Sequence, residues 1–155
     1  MLKDLHRCLD EYTSELVTAL AAVWGAVSVP ADQKATIERT VQQMSTPAAV
    51  KEVVDGLSDK AVVALAELRR AQGVLPGHRL LMPFGTIRRL GPAGLARERP
   101  WLDPVSATEE LYYRGLVYRA YGTVDDYVGE ILFVPTALMD ALAFTLAIHE
   151  WYRVR

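Results

Sequence analysis

The sequence predicts a mainly α-helical chain with one small β-hairpin, an N-terminal helical region leading into a second, mixed part. Three observations predict this. Apolar residues recur at three- and four-residue steps over most of the length. Hydroxyl or acidic caps and glycine stops punctuate those stretches. Only after residue 115 does the apolar period fall to two. The chain has 155 residues, 51% hydrophobic and 23% charged, a composition that supports a core and not a disordered chain.

Leu2, Leu5, Leu9, Tyr12, Leu16, Leu20 and Val23 place an apolar stripe on a helix over 2–27, or on two shorter helices if the Thr13-Ser14 pair breaks it. Asp32 caps a second helix reaching about Met44, and Thr46 with Pro47 opens a third that Gly56 closes. Ser58 opens a fourth, with Ala61, Val62, Leu65 and Leu68 as its buried stripe and Gly73 as its stop. A short element lies around Leu80–Phe84, and Gly85–Pro104 reads as a loop or broken short helices. Ser106 and Glu109 stand at capping-box spacing before a helix that Gly115 ends. Strands follow from Leu116 and over Glu130–Val134, joined through Gly122–Gly129, and a last helix covers Thr136–Tyr152. Helix, short helix, helix and hairpin form the element order of a winged helix. The chain therefore divides into an N-terminal helical region (1–56), a winged-helix-like domain (57–135) and a C-terminal helix (136–155).

No apolar run reaches membrane-spanning length and the N-terminus lacks a signal-peptide core, so a cytoplasmic protein is expected, with no membrane partner. Cys8 is the only cysteine, which rules out an intrachain disulfide and a multi-cysteine zinc site. The net charge of −2 conceals a segregation. Residues 1–68 carry 6 Lys/Arg against 10 Asp/Glu, 69–99 carry 7 Arg against one Glu, and 100–155 carry 4 Arg against 8 Asp/Glu. An all-arginine island between acidic flanks suits forked contacts to phosphate or carboxylate.

A family resemblance rests on Phe84-Gly85-Thr86-Ile87-Arg88-Arg89-Leu90-Gly91, Arg97-Glu98-Arg99-Pro100-Trp101, Leu111 through Ala120, and Phe133-Val134-Pro135. With these residues, the segment Leu57–Leu142 resembles the helicase-associated winged-helix domain of bacterial XPB-type helicases. The resemblance implies that fold and a nucleic-acid context. It implies no ATP hydrolysis, because no glycine-rich phosphate loop ending in Lys-Ser/Thr occurs here.

Two functions are open. In the first, Arg79, Arg88, Arg89, Arg97 and Arg99 contact a phosphate backbone without base specificity. The bland alternative for these arginines is pairing with the acidic flanks. The hairpin tip, Thr123-Val124-Asp125-Asp126-Tyr127, and the helix start at Glu109-Glu110 have the wrong sign for groove readout. Tyr112, Tyr113, Tyr118 and Tyr121 serve as core more readily than as base-stacking platforms. In the second, the apolar C-terminal helix offers Leu142, Phe144, Leu146 and Ile148 to a protein partner or a second copy.

Catalysis has weak support, His6 and Asp10 one helical turn apart being the one metal-ligand spacing, and no enzyme, metal or cofactor is expected. His6, His78 and His149 lie on distant segments, and His6 with Asp10 reads as ordinary surface. Cys8 lacks an activating base in sequence, and Ser58 and Ser106 read as helix caps.

Overall fold

The computed structural model describes residues 2–143. Its helices are α1 (Leu5–Asp10), α2 (Ser14–Val23), α3 (Gln33–Met44), α4 (Pro47–Asp55), α5 (Asp59–Arg70), α6 (Gly77–Phe84), α7 (Pro92–Glu98) and α8 (Ala107–Tyr113). Three strands, β1 (Val74–Pro76), β2 (Tyr118–Val124) and β3 (Tyr127–Phe133), complete the assigned elements, and a further helix, α9, covers 136–143. The protein is thus mainly helical with one small antiparallel sheet.

Helix starts follow local chemistry. Side chains of Asp4, Thr13, Asp32, Ser58 and Ser106 each accept a hydrogen bond from the backbone N–H three residues on, satisfying donors the first turn leaves free. Thr13 in that role breaks the N-terminal stripe into α1 and α2, the two-helix form of the expectation. Thr46 behaves differently. Its hydroxyl donates back to the Gln42 carbonyl at 2.9 Å, and α4 starts on Pro47 without a side-chain cap.

The sheet has the order β1-β3-β2, all antiparallel. The sequence had placed Gly122–Gly129 in a connecting loop. Instead Gly122 pairs with Gly129 and the ladder runs on to Val124 and Tyr127, leaving Asp125 and Asp126 as the turn. Asp125 has φ +52°, a conformation Asp tolerates better than most residues. β1 is an addition: Val74 pairs with Phe133, and the Val134 N–H donates to the Gly73 carbonyl at 2.8 Å.

One hydrophobic core joins all three expected segments. Leu9, Leu20, Trp24, Ile37 and Met44 from the N-terminal helices pack with Leu65, Leu68, Leu80, Leu111 and Leu116, and with Leu138 and Leu142 of α9. Polar ties reinforce it. The Trp24 indole N–H donates to the Arg114 carbonyl at 2.8 Å. Arg114 in turn donates to the carbonyls of Trp101 and Gly56, fastening the end of α8 to two other segments. Gly115 follows with φ +76°, a left-handed stop that favours glycine, with the Met44 methyl and Leu20 packed close against it.

Candidate functional site

The arginine island begins with Arg69 and Arg70 at the end of α5, and its five candidate contact residues lie on α6, the extended connector segment after it, and α7 with its cap. That segment is fastened carbonyl by carbonyl: the Ser106 hydroxyl donates to Thr86 at 2.7 Å, the Arg119 guanidinium to Ile87 at 3.3 Å, and the Tyr113 hydroxyl to Arg88 at 2.6 Å. At Gly85, with φ +100°, a Cβ would sit 2.3 Å from Ser106 Cβ, so glycine is what lets the segment lie this close to α8.

The adjacent residues Arg88 and Arg89 have opposite placements. The Arg88 side chain is 28% exposed and turns onto Glu109, whose side chain is 0% exposed. Glu109 accepts from the Arg88 backbone N–H at 2.8 Å, from its Nε and Nη2, and from the Val105 N–H at 3.0 Å. Burial raises the Glu109 pKa, but the hydrogen bonds and charge of Arg88 with the Val105 amide outweigh it and leave the carboxyl below its ordinary value. Arg88 is therefore a structural cation, and of the five expected contact residues it is the one turned away from solvent.

The other four are exposed. Arg89, 77% exposed, lies 3.3 Å from the Glu130 carboxylate, and Arg97, 71% exposed, lies 3.2 Å from that of Glu98. Arg79 and Arg99 are exposed, Arg99 with φ +45° at the end of α7. Such solvent-facing pairs are weak and exchange partners at little cost.

Helix α8, which the expected winged-helix order would send into a groove, has six of its seven residues buried. Glu109 is held as above. Glu110 accepts from the Ser58 N–H and hydroxyl, both at 2.8 Å, placing a carboxylate at the positive end of α5. These acids, of the wrong sign for a groove, both turn inward: Glu110 onto the start of α5 and Glu109 onto Arg88 and the Val105 amide. Glu109 also completes only half of the capping box, because its carboxylate goes to Val105 and Arg88 and not to the Ser106 amide. Tyr113 and Tyr118 are core, Tyr112 is half-buried beneath Arg119, and Tyr121 is exposed.

Leu142, expected in the exposed part of the last helix, is 1% exposed. It joins the core with Leu138 and Ala141 of the same helix, and so is not offered to a partner. Phe144, Leu146 and Ile148 lie outside the described residues.

Nucleophile and metal candidates look structural. His6 Nδ1 lies 3.3 Å from Asp10, both solvent-facing, and among the described residues no three His, Cys, Asp or Glu side chains gather to hold a metal. Burial, followed by the nearby Glu11 charge, pushes the Cys8 thiol up to about 11, opposite to the shift an activated nucleophile needs. Ser58 and Ser106 cap helices. No helix among the described residues is long and apolar enough to cross a membrane. No family model matches the chain, and no curated protein or solved structure matches it either.

Proposed function

We propose that this chain is a non-catalytic, nucleic-acid-associated module of winged-helix order, which contacts phosphate backbone through Arg79, Arg89, Arg97 and Arg99 without reading bases. The order α5-β1-α6-α8-β2-β3, with the short α7 inserted between α6 and α8, and the sheet order β1-β3-β2 support the winged-helix assignment. The resemblance of Leu57–Leu142 to a helicase-associated domain supports the nucleic-acid context.

The observation that carries the proposal is the contrast between exposed guanidiniums on the connector and a buried helix in the groove-entering position. Guanidiniums outside a groove meet phosphates, whose contacts fix position and carry no sequence information. An acidic hairpin tip keeps the wing off the backbone, since two carboxylates beside phosphate cost energy. Fluorescence anisotropy with random-sequence single- and double-stranded DNA tests this. Replacing Arg79, Arg89, Arg97 and Arg99 with Glu is expected to weaken binding by about a hundredfold or more at low salt; unchanged affinity overturns the proposal.

A second function, protein association, is favoured by a different observation. Met82 on α6 and Leu102 and Val105 after α7 are large exposed hydrophobics, and the contact of Ser106 with Gly85 and Thr86 brings the end of α6 beside the 102–106 segment. A chain that ignores DNA at every salt and sediments as a dimer would favour this second function.

A further inference from the structure

A cleft of about 820 Å³ lies between α1 and the hairpin, outside the arginine connector. Its volume falls in the range of small-molecule sites. Val74, Ile131 and Phe133 supply apolar wall, Tyr12 and Tyr112 supply aromatic wall, and Tyr121 stands exposed at the rim.

Charge in the cleft is unbalanced. Lys3 and Glu11, at its mouth, pair with one another. Arg119, which also lines it, has no carboxylate within ion-pair distance among the described residues: its guanidinium lies 4.9 Å over the Tyr112 ring and donates to the Ile87 carbonyl. Its Nε is buried and has no acceptor. A half-buried guanidinium held by one ring and one carbonyl is under-compensated, and an anion beside it would recover the attraction that water loss removed. The Tyr12 hydroxyl, on the same wall, is likewise buried without a hydrogen-bond partner. Burial, followed by the neighbouring phenols of Tyr118 and Tyr112, holds Tyr12 well above the usual phenol range, so it stays protonated, with the Tyr112 phenol as the neighbour a ligand carboxylate would displace.

We infer that this cleft binds a small organic monocarboxylate with a flat apolar body, its carboxylate at Arg119 and Tyr12 and its body against Tyr112 and the sheet. One uncompensated cation matches one negative charge. The aromatic and aliphatic walls match an apolar body better than a sugar or a polyanion. None of Arg79, Arg89, Arg97 and Arg99 lines the 820 Å³ cleft, although Arg89 shares a smaller adjoining pocket with Tyr12, Tyr112 and Arg119, so the two proposals are tested with different substitutions.

Saturation-transfer NMR on the full-length chain tests it, with benzoate and 2-naphthoate as probes, their neutral amides as isosteric controls and phenyl phosphate as a dianion. Saturable binding of 2-naphthoate, with the amide at least about tenfold weaker, is expected, because only the acid engages the guanidinium. Two variants are compared: Arg119→Gln, which removes the charge, and Ala120→Trp, which fills the cleft without touching it. Each is expected to weaken 2-naphthoate binding about tenfold or more while circular dichroism reports a folded chain. If Arg119→Gln fails to fold, Ala120→Trp with the acid-to-amide ratio decides alone. Equal binding of acid and amide overturns the inference. So do unchanged affinity in the folded variants, tighter binding of phenyl phosphate, and no saturable binding up to about 10 mM.

Discussion

At the scale of single residues, Glu109 organises the proposed phosphate-contacting surface from inside. Its buried carboxylate draws the Arg88 side chain and backbone amide inward and so fixes the stretch that carries Arg89. Removing the charge leaves the Arg88 cation without its main partner, an arrangement costlier than either intact pair or apolar replacement. Glu109→Gln is expected to lower the melting temperature by roughly 2–12 °C for a domain this size, the cost of losing the acceptor for the Arg88 and Val105 amides. The pH dependence has a definite sign. A carboxyl whose folded pKa is lowered adds stability above the ordinary carboxylate range and loses it as pH falls through the folded value. Melting curves from about pH 7 to about pH 3 should fall more steeply for the native chain than for Glu109→Gln; parallel curves would contradict this role. The divergence between Arg88 and Arg89 was not legible in the sequence, because it depends on a carboxylate 21 residues away.

Among the elements, legibility followed range. The starts of α2, α3, α5 and α8 were readable because a cap and its amide lie three residues apart. β1 was not readable, since three residues form a strand only by pairing with β3, and no local pattern marks them. The hairpin turn was overestimated because glycines at 122 and 129 look like loop residues, whereas here they face each other in the ladder. Burial of α8 also escaped detection: Glu109 and Glu110 resemble surface acids until the Arg88 and Ser58 partners arrive from elsewhere in the chain. Gly115 is an element-scale prediction. Its positive φ and the 2.6 Å separation an added Cβ would have from the Met44 methyl mean that Gly115→Ala should destabilise by about 1–3 kcal/mol, read as a fall in the denaturation midpoint at unchanged slope. A midpoint equal to that of the native chain would show that α8 can end without the glycine.

For the whole molecule, a single core from Leu5 to Leu142 makes the N-terminal helices part of the body that presents the connector. α5, α6 and the segment carrying Arg88 wall in the helix that a groove-reading winged helix would leave free, and Tyr12 and Trp24 of the N-terminal region meet its end. What reaches solvent is a band of arginines whose carboxylate neighbours, Glu98 and Glu130, are themselves partly exposed. Phosphates compete for such guanidiniums by releasing condensed counterions, and that gain shrinks as salt rises. The most direct test is the slope of log affinity against log salt concentration, measured on random-sequence DNA for the native chain and for the variant with Glu at Arg79, Arg89, Arg97 and Arg99. Four phosphate contacts predict a slope of about −3.6 on duplex or about −2.8 on single strands, collapsing toward zero in the variant. A native slope already near zero, or one the four substitutions leave unchanged, would contradict the account.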